Sequence, residues 1–172
     1  VRDEPISIRL NRNEMWRPQN YDHKTMGRIR MRLALTKSRN LASINLLNRV
    51  GLDETRDYIQ RFGFDLKELP LGLSMALGTA EVSALQMAGA YAVFANGGFR
   101  VKPYFISRVE NGAGEVIFEA NPPSACSDCW ARYEESTADT AALQQTDELL
   151  AERVLDPRVA FQMTSIMQDV IK

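Results

Sequence analysis

The sequence predicts an α+β chain, and three observations carry that prediction. Apolar residues recur with helical period between residues 29 and 62 and again from 84 to 95. A turn signal, Asn111-Gly112-Ala113-Gly114, separates two short strand-like runs, and a further helical stripe follows Asp156-Pro157. With 172 residues, 45% hydrophobic and 25% charged, the chain has the composition of a globular protein able to bury a core. A net charge of −1 and a pI near 5.9 argue against a nucleic-acid binder. The longest apolar stretch, Ala84 to Ala95, is interrupted by Gln86 and Gly89 and is too short to span a bilayer. No signal peptide is read at Val1, but both ends read as cut from something longer, so this says little of location; no internal repeat is visible.

The elements follow in order. Val1 to Leu10 alternates apolar and charged residues and reads as an extended entry segment. Asn11 to Gly27, with Trp16, Pro18, Asn20, Tyr21 and Asp22, reads as a loop. Ile29 to Ser38 reads as a short helix, and Leu41 to Val50 as a second, stopped by Gly51. Asp53 is expected to cap a third, Glu54 to Phe62, ended by Gly63. Ser83 caps the buried helix Ala84 to Ala95, which ends at Asn96-Gly97-Gly98. Tyr104 to Glu110 and Glu115 to Glu119 form the hairpin. Residues 121–152, polar and rich in Ala, Thr and Gln, read as a long inserted loop. Asp156-Pro157 is an N-cap with proline at the first helical position. The helix it opens carries Val159, Met163, Ile166, Met167 and Val170 on one stripe.

The chemistry lies in Ser38-Arg39-Asn40, between two helices. A Ser-x-Asn turn puts two polar side chains on one bend. The hydroxyl both donates and accepts, so it can relay a proton, and the carboxamide can hold a peptide carbonyl and a lysine at once. Acyl transfer to a serine nucleophile needs such a relay, because the nucleophile must lose a proton and the leaving amine must gain one. Alone, the triplet is a weak signal, far more often met by an asparagine ending a helix with a serine in its last turn.

Its surroundings are more specific. Trp16, Asn20, Tyr21, Lys24 and Gly27 are similar to a W-x-P-x-N-Y-D-x-K loop. Leu33 to Leu47 is similar to a helix, S-x-N turn, helix unit. Ala76 to Ser83 is similar to A-L-G-x-x-E-V-x-P/S, and Ala88 to Gly98 to A-x-A-Y-A-x-F-A-N-G-G. In this order the chain resembles the transpeptidase domain of class A, bifunctional penicillin-binding proteins over about residues 11–119, with Val154 to Lys172 resembling the helix before K-T-G. No Ser has Lys three residues on, and no K-T-G is present, so the resemblance makes residues 1–172 an internal segment of one such domain carrying one motif of three. Residues 120–151 match no part of the family pattern.

The resemblance implies a penicillin-binding, serine β-lactamase-like transpeptidase fold, incomplete here: most of a helical lobe plus one β-hairpin. It implies a periplasmic or cell-surface protein, anchored by a segment outside this chain and joined to a glycosyltransferase. Its serine would be acylated by peptidoglycan stem peptides and by β-lactam antibiotics. Carried over, Ser38 is the proton-relay serine and Asn40 the substrate-positioning amide. The segment alone, without S-x-x-K, is expected to be inactive and to bury its raw faces against the remaining segments of the same domain. No cofactor, metal or nucleic acid is expected. Two other readings stay open: a serine β-lactamase-like hydrolase, and a non-enzymatic helical interaction module.

Other residues carry less. Trp16 could line a substrate cleft or simply pack on the domain. His23, where the family often has glycine, reads as a solvated loop residue. Arg28, Arg30, Arg32 and Arg39 could steer an anionic substrate, though a solvated helix face is the default. Cys126 and Cys129 lack the further ligands of a zinc site and read as a local disulfide in an oxidising compartment. The methionines at 75, 87, 163 and 167 read as packing.

Overall fold

A computed structural model describes residues 1–126 and 150–171. The described chain mixes short helices with four two-stranded antiparallel pairs. It divides into two compact units, Val1–Val82 with Gln162–Lys172, and Ser83–Phe161.

In the first unit, β1 (Arg2–Asp3) pairs with β4 (Gly27–Arg28), and β2 (Ile8–Arg9) pairs with β3 (Met15–Trp16). The stretch expected to be one loop from Asn11 to Gly27 is therefore folded back on the entry segment twice. Helices α1 (Met31–Thr36), α2 (Asn40–Val50) and α3 (Leu52–Ile59) follow. The core of this unit centres on α2, whose Leu41, Ala42, Ile44 and Leu47 are buried on one face, with Ala34 of α1 and Leu69. Gly51 separates α2 from α3 at φ +106°, where a Cβ would lie 2.0 Å from Glu54 Oε2. That corrects the expected cap. The third helix starts at Leu52 with Gly51 in the cap position, and Asp53 sits inside its first turn. Gly51 supplies a backbone carbonyl to the Thr55 N–H and hydroxyl, and only glycine takes its conformation cheaply. A 3₁₀ turn at Gln60–Phe62 completes this stretch before left-handed Gly63.

In the second unit, α4 (Ala84–Ala95) begins with a capping box. The Ser83 hydroxyl accepts from the Gln86 N–H, and the Gln86 side chain accepts from the Ser83 N–H. After α4 the Asn96 carboxamide accepts from the Phe99 N–H. Gly98, at φ +106°, lets the backbone pass within reach of Leu155; a Cβ there would lie 2.1 Å from the Leu155 carbonyl oxygen. Its own carbonyl accepts from Val154 and Leu155. Strand β5 (Phe99–Arg100) thereby pairs with β8 (Glu152–Arg153), and Ala90, Val93, Phe99, Ala151, Val154, Leu155 and Ala160 form a small core. The Arg153 guanidinium lies 4.5 Å from the Phe99 ring centre.

The hairpin forms at its expected turn, with shorter strands: β6 (Arg108–Glu110) and β7 (Val116–Glu119), and a register shift at Val109/Glu110. Asn111 Oδ1 gathers the Ala113 and Glu115 N–H groups across the turn. The expected 121–152 loop is closed at its foot by a bridge between Ser124 and Leu150, and its last residue, Glu152, belongs to β8. Cys129 lies outside the described residues, and with it the proposed Cys126–Cys129 pairing. Asp156 caps α5 (Pro157–Val170) by accepting from the Arg158 N–H. Along the α5 stripe Met163, Ile166 and Met167 are half-buried, while Val159 and Val170 are exposed. Val109, Val116, Ile117 and Phe118 of the hairpin are exposed as well. Among the described residues, no helix is long and apolar enough to cross a membrane.

Candidate functional site

The turn from α1 into α2 is a Schellman motif. The Ser38 N–H donates to the Leu35 carbonyl at 2.9 Å, and the Arg39 N–H reaches back to the Ala34 carbonyl at 2.9 Å. The residue between the cap and the return strand of such a motif is left-handed and is most often glycine. Here it is Ser38, at φ +49°. Its side chain is exposed, and the hydroxyl makes no hydrogen bond among the described residues. A serine kept where glycine would fit at lower cost points to a use for the hydroxyl.

Arg39 follows in extended conformation (φ −80°, ψ 103°) at the N-cap of α2 and makes no side-chain cap there. The capping comes from elsewhere: Asn20 Oδ1 accepts from the Leu41 N–H at 3.1 Å. Asn20 Nδ2 donates to Asp3 Oδ1 at 2.7 Å and to the Lys24 carbonyl at 2.8 Å. The Arg39 guanidinium turns inward. Nε donates to Asp3 Oδ2 at 2.9 Å, one terminal nitrogen to Asp22 Oδ2 at 2.9 Å, and the other to the Lys24 carbonyl. Asp3 also accepts from the Met26 N–H. Among the described residues Asp3, Asn20 and Arg39 are the buried polar ones, and each is hydrogen-bonded. The arginine beside Asp22, aided by the Lys24 N–H, holds that carboxyl below the usual carboxylate range, and the same pairing pushes the Arg39 guanidinium further up.

This corrects the expectation of a solvated arginine face at Arg39 alone. Arg28 and Arg30 are exposed, and Arg32 is half-exposed, bonded to Ser165 and ion-paired to Asp169 of α5. Arg39 is buried and is the centre of the network. A charged residue flanked by two motif residues gave no hint of this, because its partner Asp3 lies 36 residues away in sequence.

Asn40 opens α2 half-buried, and its Nδ2 donates to the Gln19 carbonyl at 3.1 Å. That leaves one amide hydrogen and the Oδ1 acceptor for another partner. Gln19 in turn bonds His23 Nδ1 through Oε1 at 2.6 Å. His23 is exposed and left-handed at φ +56°, which accounts physically for glycine being the usual residue at this point of the resembled pattern. Trp16 is half-buried on β3 and lines a groove of about 520 Å³ with Ile8, Leu10, Asn48, Leu52 and Leu71. The structure thus brings Ser38 and Asn40 onto one turn, and the groove that Trp16 lines includes neither of them. No cluster of three His, Cys, Asp or Glu residues is placed to hold a metal among the described residues.

A helix–turn–helix with Ser38 in its turn, beside short antiparallel pairs, makes this part of the chain an α+β lobe. Residues 2–172 match the family described as penicillin binding protein transpeptidase domain, and the chain belongs to that family. It is 40% identical over 201 residues to penicillin-binding protein 1A of Pseudomonas aeruginosa, covering 100% of this chain and 24% of that protein. It is 40% identical to penicillin-binding protein 1A of Vibrio cholerae, over 89% of this chain and 19% of that protein. The crystal structure of penicillin-binding protein 1A from Haemophilus influenzae superposes with a TM-score of 0.83 at 33% identity, over 99% of this chain and 26% of that one. PonA1 from Mycobacterium tuberculosis shares the fold at a TM-score of 0.68 and 21% identity, over 97% of this chain and 40% of that one. The chain spans about a fifth to a quarter of the length of the curated relatives named, and its fold is part of a transpeptidase fold.

Proposed function

We propose that the chain supplies the S-x-N part of a peptidoglycan DD-transpeptidase. Its partner segments of the same domain would bring the nucleophilic serine, its lysine and the K-T-G strand. The observation that carries this reading is Ser38, held left-handed at a helix cap with its hydroxyl exposed. In acylation the nucleophile's oxygen attacks the carbonyl of the penultimate residue of a stem peptide. The peptide bond to the terminal D-Ala breaks, and the proton lost by the nucleophile reaches the departing amine. The Ser38 hydroxyl accepts and passes on that proton. The Asn40 carboxamide orients the peptide through its remaining N–H and its Oδ1. A second stem peptide's amine then displaces the enzyme and forms the cross-link. β-Lactams open on the same nucleophile.

The setting that suits this chemistry is the outer face of a bacterial inner membrane, in a protein anchored elsewhere and joined to a glycosyltransferase. The test is labelling by a fluorescent penicillin. Residues 1–172 alone should stay unlabelled. In a protein carrying the whole domain, Asn40→Ala should slow acylation by roughly 10- to 1000-fold, the scale of one lost polar contact at a reacting centre. Stoichiometric covalent label on residues 1–172 alone contradicts the reading.

A further inference from the structure

Arg39, the middle residue of the motif, faces away from Ser38 in its exposure: it is buried, Ser38 is exposed and Asn40 is half-buried. Its guanidinium is fastened at three points, to Asp3 on β1, to Asp22 and to the Lys24 carbonyl. Its backbone N–H closes the Schellman turn, and its carbonyl accepts from the Ser43 N–H in the first turn of α2. Asn20 binds the same Asp3 and caps Leu41. The loop that carries Asn20 also carries Gln19, whose carbonyl holds the Asn40 amide. Apart from the Ser38 N–H bond to the Leu35 carbonyl, the fastenings described for the turn pass through Arg39 or the loop segment it grips.

A left-handed serine relaxes unless its surroundings prevent it. The only side chain within the triplet that is anchored in the core is that of Arg39. We propose that Arg39 is a positioning residue for the reaction: clamped by Asp3 and Asp22, it holds Ser38 in its left-handed conformation and sets the distance between the Ser38 hydroxyl and the Asn40 carboxamide. The inference rests on the transpeptidase reading of Ser38 and Asn40. A flat, five-donor fork is what three acceptors in different directions require, so lysine is not an equivalent.

The experiment uses a protein carrying the whole domain. Arg39→Lys keeps the charge and loses the fork. Asp22→Asn releases only the half-exposed partner and leaves Asp3 paired, so folding should survive it. Acylation by a fluorescent penicillin is resolved into the binding constant and the acylation rate constant, in the wild type and in a Ser38→Ala background, with melting temperature followed in parallel. Each variant should lower the acylation rate constant roughly 10- to 100-fold, the cost of misplacing a reacting group by about 1 Å, with binding unchanged. In the Ser38→Ala background that loss should shrink clearly, because no hydroxyl remains to be placed and only the Asn40 contribution is left. Equal losses in both backgrounds, or a lowered melting temperature with unchanged acylation, would show Arg39 to be structural only and overturn the inference. If Ser38→Ala itself acylates at the wild-type rate, the role given to Ser38 falls first and the positioning role with it.

Discussion

Arg39 Nε lies 2.9 Å from Asp3 Oδ2 in an ion pair whose side chains are 8% and 0% exposed. The pair joins the first strand to the turn between α1 and α2. A buried pair of this kind adds little net stability by itself, because desolvation offsets the attraction, yet removing one member strands the other. Asp3→Ala should therefore cost about 3–5 kcal/mol in chemical denaturation of the domain, and Asp3→Asn less, since it keeps an acceptor. A loss below about 1 kcal/mol for Asp3→Ala would mean that water reaches the site.

Gly98→Ala should be far worse than an ordinary glycine substitution. The new methyl would sit 2.1 Å from the Leu155 carbonyl, a backbone atom that cannot swing away, at a φ of +106°. The expected result is loss of the β5–β8 pairing and a destabilisation of about 2 kcal/mol or more, read by thermal unfolding. Gly112, with no heavy atom within 4 Å of its built Cβ, is the control, and Gly112→Ala should change little.

Much of this was legible beforehand, and for physical reasons. Ser83, Gly63 and Asp156-Pro157 marked helix ends because capping is local chemistry. The Asn111–Gly114 turn was legible for the same reason. The start of α3 lies at Leu52 and not after Asp53 because Gly51, whose conformation a sequence does not display, takes the cap position. The S-x-N turn was visible only through its neighbours in order. The buried network was not visible at all. Asp3 and Arg39 look like surface charges in one dimension, and their pairing depends on β1 being folded against the turn.

Acid stability should follow Asp156. The Arg158 guanidinium, with its backbone N–H, lowers the Asp156 carboxyl to about 2 from its ordinary 3.8. A carboxyl depressed in the folded state adds stability that is complete above the ordinary value and disappears as pH falls through the folded one. Melting temperature should thus fall between about pH 4 and pH 2, and Asp156→Asn should flatten that part of the curve. Both side chains reach solvent, so the effect should shrink in high salt.

The proposed bond between Cys126 and Cys129 closes a very short loop, so it should contribute at the low end of the roughly 2–4 kcal/mol usual for disulfides. Intact mass of non-reduced protein from an oxidising compartment should be two hydrogens below that of the dithiol. Free thiols at both positions would remove it.

The most direct measurement of the central claim is Ser38→Gly in a protein carrying the whole domain, with acylation rate and melting temperature taken together. Glycine suits the left-handed cap better than serine, so the turn should hold or gain up to about 1 kcal/mol. Losing the hydroxyl should slow acylation by a fluorescent penicillin roughly 10- to 1000-fold. A stable protein that acylates slowly is the predicted result. A Ser38→Gly protein that acylates at the wild-type rate would show that the Ser38 hydroxyl has no part in the chemistry.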